Sequence, residues 1–163
     1  GRVVLERILP GASQLQNYHP LLVHFPIAFI YGAALLYFLA WISASDRVQW
    51  TALWMLTLGA LGTAAALASG FYAAPGLMVA ESVRNELLQH HKHLMVAASV
   101  VTGVLTIWAI AARPMPTRGR YVFLAGLVLA MGLIASGADL GGEMVFSYNA
   151  GGSACAQPID FRK

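Results

Sequence analysis

Hydrophobic residues run along this chain in four long blocks that are nearly free of charge. No Asp, Glu, Lys or Arg occurs within residues 10–45, 48–80, 93–112 or 121–138. A helix needs about 20 mostly apolar residues to cross the hydrocarbon core of a bilayer. The pattern therefore predicts four membrane-spanning helices, over residues 21–42, 50–73, 93–112 and 121–138. Between them lie "SASDRVQ", a longer stretch from residue 74 to 92, and "RPMPTRGR"; a tail follows from Asp139. The first and third links are short, which favours antiparallel neighbours and an up-down-up-down bundle. Ahead of the first span, "GRVVLERILPGASQLQ" alternates apolar and charged residues and stops at a Pro-Gly turn signal. It reads as a short interfacial amphipathic helix. The expected fold is thus an all-α integral membrane protein: one antiparallel four-helix transmembrane bundle, a single domain over residues 1–163, with residues 139–163 outside the membrane.

Composition sharpens this picture. Of 163 residues, 58% are hydrophobic and only 10% are charged, against about 25% charged in an ordinary soluble domain. The mean hydropathy is +0.66. The apolar run after Leu21 is too long for a signal-peptide core and reads as a span. The formal charge of +3 comes with no aromatic-interleaved basic patch, which excludes a nucleic-acid partner and leaves membrane lipid as the surroundings. A single cysteine, Cys155, excludes an intrachain disulfide and a CxxCH haem-attachment motif. The third link holds Arg113, Arg118 and Arg120 without an acid. Short basic loops sit in the cytoplasm, so both termini are expected in the periplasm, with the chain in a bacterial inner membrane.

Small residues mark helix contacts: Gly62, Ala66 and Gly70 on the second span, Ser99 and Gly103 on the third, and Gly126, Ala130, Gly132 and Ser136 on the fourth. Trp41, Trp50, Trp54, Tyr72, Trp108 and Tyr121 fall near span ends, as an interfacial aromatic belt does. Helix beyond about Leu140 is not expected, because Gly137, Gly141, Gly142, Gly151 and Gly152 disfavour it.

Candidate chemistry rests on histidine. His19, His24, His90, His91 and His93 are the whole complement, and the up-down topology gathers them at one end of the bundle. Ionisable residues within a span are costly and mark sites. His24, inside the first apolar run, is the strongest single candidate. Opposite His91 or His93 it would supply the two axial imidazoles that a haem b (heme b) requires. Residues two apart on a helix point about 200° apart, so only one of His91 and His93 faces His24. His90 and His93 share a face and form an alternative small-metal pair. Pro26 frees a carbonyl near residue 22 and loosens the first turns of the span. Asp139 and Glu143 could orient an imidazole from the same side. No GxSxG, HExxH, CxxC or phosphate-cradling glycine loop occurs, so an enzyme acting alone is not expected.

"HPLLVHFPIAF", "SGFY", the "HHKH" cluster and "GGEMVF" occur in that order. Together they resemble the bacterial membrane family called domain of unknown function 2231, over about residues 19–146. The matching positions are His19, Pro20, His24, Phe25, Pro26, Gly70, His91, Gly141 and Gly142, and the family form favours His91 over His93. The ending departs from the usual pattern: Phe146 stands where the family carries tyrosine. The resemblance implies a four-span bundle. Some members carry c-type cytochrome regions, which implies redox service. The expectation is therefore a haem-b electron-transfer subunit of a membrane redox complex. It would bind through His24 and His91, with His93 the alternative, between quinone or a membrane partner and a periplasmic cytochrome or other redox protein. The competing reading is a structural, accessory subunit with no cofactor of its own.

Overall fold

The computed structural model describes residues 18–77 and 79–150; the expected interfacial helix and the end of the tail lie outside them. The described residues are helical with no strand, and four helices are long and apolar enough to cross a membrane: His19–Ser43, Asp46–Gly76, Glu81–Ala112 and Arg120–Tyr148. The protein is an all-α membrane protein built as a four-helix bundle.

The first span opens with a four-residue helix α1 (His19–Leu22), with proline in its first turn, and then breaks at Val23. The break has a local cause. Pro26 has no N–H to give to the carbonyl of Leu22, so the helical ladder restarts as α2 (His24–Ser43). Ala44, in the left-handed region at φ 51, turns the chain. Asp46 opens α3 (Asp46–Ala73), with its carboxylate in the positive first turn of the helix.

The long second link is largely structured: a 3₁₀ turn (Ala74–Gly76), a short α4 (Glu81–Val83) and a π-helical turn (Arg84–Leu88) lead into α5 (Gln89–Ala112). The Arg84 guanidinium donates to the carbonyls of Ala74 and Leu77, tying the link to itself. The link packs Ala74, Val83 and Leu88 against Met144 and Ala150. The last helix, α6 (Arg120–Tyr148), follows Gly119, whose φ of 77 suits glycine. It runs straight through Gly137, Gly141 and Gly142, past the end expected near Leu140. Tertiary packing overrides propensity here, because a Cβ at Gly137 would meet Met95 and Leu94, and one at Gly141 would meet His91.

Each helix packs on its sequence neighbours, α2 on α3 and α5 on α6, while α3 meets α5 and α2 meets α6 to close the ring. Spans one and three are therefore diagonal partners, as are two and four. The first span lies along a glycine ridge of α3: Ile30 against Gly59, Pro26 and Phe25 against Gly62, and His19 against Gly70. The largest core fills the half of the bundle nearer the short links, with Tyr37, Leu56, Phe123 and Leu127 fully buried. A smaller cluster of Ile30, Ala98 and Ile134 lies toward the other end. Leu35, Leu61, Val104, Ile107 and Leu129 stay exposed on the outside, which is the surface a bilayer solvates.

Candidate functional site

His19 stands at the start of the first span and half-buried. It leans on the end of the second, with Nδ1 3.0 Å from the Ser69 hydroxyl oxygen. That hydroxyl donates its own proton to the carbonyl of Ala66 at 2.9 Å, so its oxygen accepts from His19 Nδ1–H. His91 stands at the corresponding place on the third span and leans on the fourth. Its Nδ1 donates to the carbonyl of Gly137 at 2.7 Å, an acceptor that fixes the tautomer. Both neutral rings thus commit Nδ1–H to the neighbouring span and carry the lone pair on Nε2. The two imidazoles stand on diagonal spans at one end of the bundle.

Each ring lies against a glycine of the helix it leans on. A Cβ built at Gly70 would come within 2.9 Å of His19 Cε1, and one at Gly141 within 3.4 Å of His91 Cε1. At the first position alanine would displace the ring, so Gly70 holds open the room that the His19 imidazole occupies; at the second it would make an ordinary contact. On the His91 side, the π-helical turn (Arg84–Leu88) shortly before the residue resets the helical register, a feature common beside functional residues.

The other histidines lie elsewhere. His24 is exposed on the outer side of the bundle. Five residues after His19 it points about 140° away, so a helix that turns His19 inward turns His24 outward. His19, hydrogen-bonded to Ser69, is the first-span histidine that turns into the bundle at the end where His91 stands. His90 and His93 are exposed, and His91, between them, is the member of the cluster that turns inward. Asp139 and Glu143 are exposed too and line a shallow groove on the outside of α6 with Gly142 and Phe146. The acceptors for the two imidazoles are Ser69 and the Gly137 carbonyl instead. Neither was singled out from the sequence, although each belongs to an Ala-Ser-Gly triplet, residues 68–70 and 135–137, closing the second and fourth spans. Among the described residues no three His, Cys, Asp or Glu side chains gather as a metal-binding group.

Fold and site define a class: a polytopic helical membrane protein with a pair of inward-facing imidazoles at one end of its bundle. The chain belongs to the family of predicted membrane proteins designated domain of unknown function 2231, whose sequence pattern matches residues 16–154. No curated protein and no solved structure matches it.

Proposed function

We propose that this protein is a haem-b-binding electron-transfer subunit of a membrane redox complex, in which Nε2 of His19 and of His91 would hold the iron. The observation that carries the reading is the pairing itself: two imidazoles on diagonal spans, each with Nδ1–H tied to the next helix. Two neutral imidazole donors leave a bare divalent ion short of ligands, since such sites take three or four from the protein. A tetrapyrrole brings four equatorial nitrogens and needs only two more. Gly70 also fits, because it leaves the room that the His19 ring occupies in this position.

Bound there, the haem would supply a one-electron iron couple. The chain's own part is to hold the ligands and set their basicity. Hydrogen bonds from Nδ1–H to Ser69 and to the Gly137 carbonyl fix both ring planes and raise the donor strength of Nε2. Ala74, Val83 and Leu88 of the second link, packed on Met144, and the clasp made by Arg84 belong to the same end of the bundle. With the arginine-rich third link in the cytoplasm, the histidine end faces the periplasm of a bacterial inner membrane. It is then placed to exchange electrons between quinone or a membrane partner and a periplasmic redox protein.

A dithionite-reduced minus oxidised spectrum of the purified protein, with a pyridine haemochrome assay, tests this. A reversible b-type signal is expected. A colourless, well-folded protein that co-purifies with larger membrane subunits would replace the reading with that of an accessory subunit.

A further inference from the structure

The link between the third and fourth spans, residues 113–120, holds Arg113, Arg118 and Arg120 and no acid. Arg113 and Arg118 are exposed. Arg120 is half-buried, and its Nε is buried with no hydrogen-bond partner. Within the described residues no ion pair or hydrogen bond engages any of the three side chains. The Nε atom is closed to anything outside the protein, so an external acceptor meets the terminal guanidinium nitrogens, which are neither buried nor hydrogen-bonded.

The surroundings say which acceptor. Arg120 is the first residue of α6, whose opening turn has neither a side-chain cap nor an acidic residue, so its positive end adds to the charge. The next residue, Tyr121, packs edge-on against Trp41 with ring centroids 5.9 Å apart, and both rings are exposed. Exposed Trp and Tyr at span ends mark the headgroup level of a bilayer, the depth at which lipid phosphates lie. Arg47 adds charge from the other short link at this end, where Asp46 is the acid.

We propose that residues 113–120 hold the phosphate of an anionic phospholipid through Arg118 and Arg120, with Arg113 adding to the field. A guanidinium gives a phosphate two parallel N–H donors, and anionic lipid of the cytoplasmic leaflet collects at basic juxtamembrane segments. The site is independent of the histidine pair and lies at the opposite end of the bundle.

The test uses the full chain in nanodiscs of phosphatidylcholine alone or with phosphatidylglycerol, following the thermal unfolding midpoint and the lipid retained in native mass spectrometry. Phosphatidylglycerol is expected to raise the midpoint and to be retained. Both effects should vanish in the double variant Arg118→Gln with Arg120→Gln, and survive in large part in Arg118→Lys with Arg120→Lys, which keeps the charge. Equal midpoints in the two lipid mixtures would overturn the proposal, as would undiminished retention in the glutamine variant. Inorganic phosphate added to the phosphatidylcholine sample should give no comparable shift. If it reproduces the full effect, the site takes free phosphate and the lipid assignment falls.

Discussion

At the arginine end of the bundle, Tyr37, Trp108 and Phe123 interlock edge to face, with centroids 4.9 Å apart for Tyr37 and Phe123 and 5.8 Å for Trp108 and Phe123. The Tyr37 hydroxyl donates to the Pro114 carbonyl at 3.0 Å and pins the third link to the first span. At the histidine end the packing is split into two smaller clusters, Ile30 with Ala98 and Ile134, and Ala74, Val83 and Leu88 with Met144 and Ala150, beside glycine, serine and imidazole. One end is filled for stability. The other keeps polar rings against the glycine-bearing ends of the second and fourth spans.

Substitutions can pull the two ends apart. Phe123→Ala should have the largest effect on stability, lowering it by about 3–5 kcal/mol in reversible detergent unfolding, while any b-type spectrum keeps its shape. Ser69→Ala should do the reverse. It leaves stability nearly unchanged, yet weakens cofactor retention by about tenfold to a hundredfold in a haem-transfer competition, because His19 loses its acceptor. Gly70→Ala should weaken retention too, since the added Cβ would stand 2.9 Å from His19 Cε1. Tyr37→Phe should cost about 1 kcal/mol of stability, the worth of one hydrogen bond, with no spectral change. Gly103→Ala is the control: a Cβ there meets nothing within 4 Å. It should leave the spectrum alone and raise stability by at most about 1 kcal/mol. A spectral shift in Phe123→Ala, or none in Ser69→Ala and Gly70→Ala together, would erase the division between the ends.

The two ends also differ in how far the sequence reveals them. Charge-free runs and arginine-rich links are one-dimensional signals, so the four spans and their order can be read directly, although the third begins at Glu81 rather than residue 93 and the fourth ends at Tyr148 rather than residue 138. The extension of α6 to Tyr148 was hidden because glycine counts against a helix by propensity, while in a bundle it permits close approach, as at Gly137 and Gly141. His24 stood out from the sequence because it lies deepest in an apolar run. Depth along a helix and direction around it are separate coordinates, and the register set by the break at Val23 turns His19 inward instead. The family resemblance already favoured His91 over His93; the 200° between them could decide it only once a partner face was known. Ser69 and the Gly137 carbonyl were not legible at all as acceptors, because a carbonyl has no letter and a serine in a span is usually bonded to its own helix.

The central claim is that His19 and His91, not His24 or His93, are the paired donors. The direct measurement is the pyridine haemochrome content and reduced minus oxidised spectrum of four purified variants: His19→Ala, His91→Ala, His24→Ala and His93→Ala. The first two variants should lose the b-type signal while the last two match the unmodified protein. Loss of the signal in His24→Ala with full retention in His19→Ala would contradict the claim.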